Sequence, residues 1–427
     1  MTSDGQVRPG HRRIAPALAA LTVCTLSALV ASSRIMVTSG GIDQRHYHWV
    51  TVQYFRDTFP RIDIVNVDTA TAPLYHLVLA AVSGPFDLTE HQTQFVASLF
   101  AADLAALAVW FAMSTVSTLF GVLAVAPLLL SPYFWQSGLW MLNDAAALFF
   151  GLAALILVVR RDPGNVLSQF GVGLLLAAAV ATRQTYVWAV VPCVAVTGSS
   201  MNGSATAAKM GAICRVAAPA FFVLAVLATA WHGLTPPGFR EMNAANRSPV
   251  SLSYCFAVAA MFFVPIVIGV VGRPVRRTLA PLVLGTLAAV PAIVFPSVAT
   301  VPPDNTRYGG LIWMLVAHGP SYGDRSIVLA ILAFIGAWSV CHVLMTLDQP
   351  TKTLAGTALV ALAVCLSAGG QLYQKYFELP VAAIAMMTIV ALAQGGLIKR
   401  NWPLIALILL QATLTMGIVL VPLVAAR

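Results

Sequence analysis

Long apolar runs recur from one end of this chain to the other, and few of them carry a charge. A run of roughly 18 or more such residues makes a helix long enough to cross a hydrocarbon layer of about 30 Å. The runs predict about thirteen spans, at 14–33, 93–113, 115–133, 139–159, 166–182, 184–200, 210–231, 250–272, 278–296, 326–346, 354–371, 378–396 and 403–424. Helices are expected throughout, because lipid offers no partner for the backbone N–H and C=O groups of an open strand. Composition agrees: 59% hydrophobic residues and 9% charged ones describe a chain whose solvent is mostly lipid. The expectation is an all-α polytopic protein forming one integral membrane domain over 1–427. No soluble domain or linker interrupts it, and the Gly/Ser-rich patch from Thr197 to Thr206 fits a short loop.

Basic residues in short loops set an orientation. Arg12, Arg13, Arg160, Arg161, Arg273, Arg276, Arg277, Lys399 and Arg400 fall on one side, which the positive-inside rule makes cytoplasmic. Of the acidic residues only Asp4, Asp162 and Asp348 fall there. The opposite side receives the 34–92 region, the 232–249 and 297–325 loops and the turn around Lys375, so the outer face is the polar one. Arg12 and Arg13 ahead of an apolar run also suit a signal peptide, but that run is long and opens straight into a loop after Ser33, which favours an uncleaved helix. The net charge of +9 fits loops facing anionic lipid headgroups, and nothing points to nucleic acid. Cys24, Cys193, Cys214, Cys255, Cys341 and Cys365 show no paired spacing and read as packing thiols. There is no Walker-type phosphate loop and no internal repeat, which weighs against an ATP-driven pump and a carrier built from inverted halves.

The 34–92 region is read as a long first outer loop carrying short interfacial helices. From Gly41 to His76 it holds Asp43, Asp57, Asp63 and Asp68 with His46, His48 and His76. Asp43 follows the first span closely enough to stay near the membrane surface, where a carboxylate can take a proton from a hydroxyl nucleophile. It can equally cap a helix running from Gln44 to Arg56. Further on, Thr71 can cap and Pro73 can start an apolar helix that carries His76, ends near Val82 and is too short to span. His76 on it is either functional or a satisfied polar residue. Thr182-Arg183-Gln184-Thr185 interrupts a hydrophobic stretch, and Arg183 there suits a phosphate or snorkels at a hairpin tip. Asp304-Asn305-Thr306-Arg307-Tyr308 and Lys375-Tyr376-Phe377-Glu378-Leu379-Pro380 are further outer clusters. Asn143 and Asp144 open the fourth span as cap or packing groups.

Taken in order, these fragments resemble a known family. Ile42-Asp43-Gln44, the Thr/Pro/Leu/Tyr segment, Leu142-Asn143-Asp144-Ala145, Arg183-Gln184-Thr185-Tyr186-Val187-Trp188, Asn246-Arg247-Ser248, Asp304 to Tyr308 with Trp313, and Lys375-Tyr376-Phe377 with Leu379-Pro380 look like the dolichyl-phosphate-glucose α-1,2-glucosyltransferases of the endoplasmic reticulum. The block from Arg183 to Trp188 is the most specific piece, and the whole spans most of the chain.

That resemblance implies a GT-C glycosyltransferase taking a hexose, glucose in the family, from a polyprenyl phosphate on the non-cytoplasmic face. Asp43 carries the role of base. Arg183, Arg307 and Lys375 become candidates to hold the donor phosphate, with His76, Gln184, Tyr376, His46 and His48 orienting substrate. Two departures bear on the acceptor: Gln44 stands where the family tends to have Glu, and Lys375 stands where it has Arg. The acceptor is accordingly read as a lipid-linked or envelope glycan in a bacterial plasma membrane rather than the family's N-glycan. No cofactor is expected. The carboxylates and histidines leave room for a divalent metal, but no spacing calls for one. The alternative is a lipid or solute carrier in which Arg183 and Asp144 line a route.

Overall fold

The computed structural model describes residues 11–36, 38–162, 164–201, 203–240, 248–270, 278–297, 310–369 and 372–425. Apart from a ribbon pairing Ser321–Tyr322 with Arg325–Ser326, every regular element among them is helical. Helix α1 is His11–Ser33. The loop after it folds into α2 (Ser39–Asp43), a π-helical turn (Gln44–His48), α3 (Trp49–Thr58) and α4 (Leu74–Ser83). Next come α5 (Glu90–Thr115), α6 (Thr118–Leu129), α7 (Pro132–Leu139), α8 (Asp144–Arg160) and α9 (Val166–Thr182). A 3₁₀ turn, Gln184–Ala189, leads into α10 (Val190–Ser200) and α11 (Thr206–Trp231). The remainder is α12 (Ser251–Val270), α13 (Ala280–Val294), α14 (Leu311–His318), α15 (Ile327–Leu344), α16 (Gln349–Ser367), α17 (Gln374–Gln394) and α18 (Trp402–Thr415), the last extended by a π turn and a short α19 (Val421–Ala425).

The structure does not confirm the count of thirteen spans. Among the described residues eight helices are long and apolar enough to cross a membrane, or up to nine if the bent pair α6 and α7 is one span. That pair breaks by 67° where Ser131 takes extended backbone ahead of Pro132, as the residue before proline tends to do. The runs at 139–159, 166–182, 184–200 and 278–296 resolve into helices of 17, 17, 11 and 15 residues. Hydropathy does not see where backbone leaves the helix: the 140–143 segment is a corner, and Arg183 is extended at φ −153°.

Among the helices long enough to span, α17 is the most buried, with 83% of its most apolar window buried, whereas α1 and α11 turn most of theirs outward, at 17% and 22%. Such outward apolar faces suit lipid. Packing without a hydrophobic drive needs close approach through small residues. At Gly336 a Cβ would lie 1.8 Å from the Phe256 carbonyl oxygen, so α12 and α15 touch backbone to backbone. Helix α8 begins with Asp144 and ends with Arg160, signs that complement its dipole, and Arg160 lies over the Trp110 ring at 4.7 Å. Helix α4 is short, as expected, but Pro73 sits at its N-cap and the Thr71 hydroxyl bonds Thr69 at 3.0 Å rather than capping.

Candidate active site

Asp43 ends α2, whose own start is capped by the Thr38 hydroxyl accepting the Gly41 N–H at 3.2 Å. The Asp43 side chain makes no cap bond to the turn that follows it. It pairs instead with Lys375, Nζ to Oδ2 at 3.1 Å, from the first turn of α17. The two side chains are 19% and 21% exposed, so the pair is shielded yet open to a ligand. Gln44, fully buried, holds this turn in place: its amide donates to Glu90 Oε1 at 3.0 Å and Gln94 Oε1 at 3.1 Å, and its Oε1 accepts the Met141 N–H at 2.8 Å. Gln44 and His48, four positions apart on this π turn, are both buried.

A second cation stands next to the first. Arg183 is buried and forms an ion pair and hydrogen bond with Asp144, also buried. Asn143 supports the pair, donating to the Thr182 carbonyl at 3.1 Å and accepting from Arg183 at 3.4 Å. Arg183 therefore does not snorkel at a hairpin tip. Its guanidinium lies 4.2 Å from the centre of the Tyr376 ring, and Lys375 Nζ lies 5.6 Å from the same ring. Tyr376 thus offers its π system to both cations.

His48 and His76, both buried, stack with ring centres 5.1 Å apart and share a hydrogen bond between Nδ1 of His48 and Nε2 of His76, 2.8 Å. Burial first, then the charges of Lys375 and Arg183, push His48 down to about 3. Burial and His48 hold His76 well below the usual range as well. Both rings are neutral at physiological pH, with one donating and one accepting. They form an uncharged wall beside two cations.

The remaining expected residues fall elsewhere. Gln184 is engaged with backbone: it accepts the Ala72 N–H at 3.0 Å and donates to the Ala70 carbonyl at 2.8 Å and the Leu234 carbonyl at 3.1 Å, stapling the start of α4 to the start of the 3₁₀ turn. His46 is exposed on the outside of its turn, and Asp57 and Asp68 are exposed too. Asp63 closes a local loop, where the Val65 N–H and the Asn66 side chain hold it below the usual carboxylate range, an environment that disfavours a proton acceptor. Arg307, with Asn246 and Arg247, lies outside the described residues. Among the described residues no three His, Cys, Asp or Glu side chains are grouped to hold a metal ion.

Two participants were not singled out by sequence. Gln44 was noted only as a departure from a pattern, although an amide beside the candidate base can bridge several elements at once. Glu378 is fully buried on α17, and an isolated acid among Phe377 to Leu392 is itself the signal that a span carries a functional polar group.

The chain matches no protein-family model and no curated protein. Among solved structures, the crystal structure of ArnT from Cupriavidus metallidurans in the apo state aligns over 91% of this chain and 77% of its own, at 13% identity and a TM-score of 0.36. A likeness of that size assigns neither family nor function.

Proposed function

We propose that this chain is a membrane glycosyltransferase of the GT-C type that moves a hexose, glucose by the sequence resemblance, from a polyprenyl-phosphate sugar to a lipid-linked or envelope glycan at the outer face of a bacterial plasma membrane. The observation that carries this reading is the meeting of Asp43, Lys375, Arg183 and Tyr376, drawn together from three distant stretches of chain. A carboxylate within reach of solvent beside two cations matches a reaction in which a hydroxyl loses a proton while a phosphate leaves.

The acceptor hydroxyl gives its proton to Asp43, and its oxygen attacks the anomeric carbon from the side opposite the phosphate. The bond from that carbon to the phosphate oxygen breaks, and the electron pair leaves with the polyprenyl phosphate. The product has inverted configuration. As Asp43 takes the proton its negative charge disappears, so Lys375 loses its partner as negative charge gathers on the phosphate. A preplaced cation released at that moment favours the transition state over the ground state. Arg183 remains paired with Asp144 and acts as a fixed donor, and the neutral His48 and His76 can orient hydroxyl groups without competing for the phosphate.

The carrier reading places Arg183 and Asp144 along a route, whereas the pair stands at the end of α9 and the start of α8. The deciding experiment supplies purified protein with radiolabelled polyprenyl-phosphate hexoses and a membrane lipid and glycan extract. Labelled product from wild type and at least about a hundredfold less from folded Asp43→Asn is the expected result. No product from any donor with folded wild type favours the carrier.

A further inference from the structure

We propose that Glu378 is a positioning residue that sets the first turn of α17, and with it the direction of Lys375 and Tyr376, toward the phosphate of a polyprenyl-phosphate ligand. This rests on the functional reading above. Glu378 is fully buried in α17, the most buried of the helices long enough to span, and it forms no ion pair among the described residues. A buried carboxyl without a cation is costly to keep, so its contacts have to account for it.

Those contacts are three linked hydrogen bonds. Oε1 accepts the Ser131 hydroxyl at 2.7 Å, and Oε2 accepts the Gln374 amide at 2.6 Å. Gln374 in turn accepts the Ile312 N–H on its own Oε1 at 3.0 Å. Ser131 sits at the break between α6 and α7, and Ile312 sits in the first turn of α14, so one carboxyl ties the start of α17 to two other elements. The adjoining Gly310 shows how tight this junction is. Its φ is +121°, and a Cβ there would lie 2.2 Å from Gln374 Oε1.

Residues four apart share a helix face, while the next residue along is rotated by about 100°. Gln374 and Glu378 therefore grip one side of α17, and Lys375 and Tyr376 project from others toward Asp43 and Arg183. The first turn of a helix lacks intrahelical partners for its N–H groups and frays most easily. A clamp at 374 and 378 fixes the rotation of that turn where two site residues depend on it.

The test uses the full-length protein in lipid nanodiscs, with Glu378→Leu, Glu378→Gln and Ser131→Ala. Glu378→Gln can keep the arrangement, with its oxygen toward Gln374 and its amide toward the Ser131 hydroxyl. Two readouts are followed: amide hydrogen exchange of the 311–318 segment, and the Kd for a C55 polyprenyl phosphate. Glu378→Leu is expected to speed exchange at Ile312 tenfold or more and to raise Kd at least fivefold, with Glu378→Gln within twofold of wild type on both. Ser131→Ala is expected to fall between them, and it stands in for Glu378→Leu if that variant does not fold. Faster exchange with unchanged Kd would make Glu378 a purely structural group and overturn the proposal while leaving the functional reading intact. A wild type that binds no polyprenyl phosphate overturns both, and the exchange data then report only whether the clamp exists.

Discussion

Lys375 and Asp43, 332 positions apart in sequence, share an ion pair at 3.1 Å. In the proposed reaction both have other work, since Asp43 must accept a proton and Lys375 must meet a phosphate. The ligand phosphate therefore competes with Asp43 for the ammonium group. Asp43→Asn is expected to lower kcat by about 10²- to 10⁴-fold, the usual contribution of a general base. The same variant is expected to bind a polyprenyl phosphate several-fold more tightly than wild type, and the gain should vanish in the Asp43→Asn/Lys375→Met double variant. Titration of the lipid phosphate against wild type, Asp43→Asn, Lys375→Met and the double variant checks this, and equal affinity in wild type and Asp43→Asn would refute the competition.

The Arg183–Asp144 pair is buried on both sides. Removing one partner leaves a charge stranded in an apolar setting, so Asp144→Leu is expected to destabilise the protein by about 3–5 kcal/mol. Asp144→Leu combined with Arg183→Leu should recover part of that loss, because no lone charge remains. Thermal unfolding in the same nanodiscs reads both, and a double variant no more stable than the single would contradict the account.

Acid should weaken the fold through the histidine pair. In the folded protein His48 is held down at about 3, against an ordinary value of 6.5, and His76 is lowered as well. The unfolded chain therefore binds protons first as pH falls below about 6.5. Stability is full above that value and is lost as pH falls, for His48 by up to about 1.4 kcal/mol per pH unit down to about 3, with His76 acting in the same direction. His48→Gln should flatten the dependence of Tm on pH between 6.5 and 5; an unchanged slope would show that the loss arises elsewhere.

Gln44 satisfies Glu90, Gln94 and the Met141 N–H together. Gln44→Glu keeps the shape but sets a carboxylate against Glu90 and withdraws two donated hydrogens. A cost of about 1–3 kcal/mol is expected at neutral pH, and it should shrink as the pH is lowered and one carboxyl protonates. Comparison of Tm for wild type and Gln44→Glu at pH 7 and pH 5 decides it. A gap that stays constant would point to packing rather than charge.

Much of the polar inventory was legible before any coordinates. Asp43, Lys375, Arg183, Tyr376, His48 and His76 each stand out as polar groups bordering apolar runs, and the structure brings them together. Gln184 stood out by the same criterion yet serves as a backbone staple, and His46 faces outward. Whether a polar side chain turns toward a neighbour or away depends on a few tens of degrees of helix rotation. No hydropathy pattern records that rotation, nor the π turn at Gln44–His48.

From sequence alone came the solvent and the secondary structure: a chain this apolar must satisfy its backbone within helices, and its charged groups must gather where the helices end. Only the tertiary structure decided how many runs are long enough to span, which of Asp43, Asp57, Asp63 and Asp68 faces a cation, and that Glu378 clamps the turn bearing Lys375. Hydropathy is a sum over neighbours in sequence. The breaks at Ser131 and Arg183 and the close contact at Gly336 fix where helices stop and how they pack, and those set which distant side chains meet.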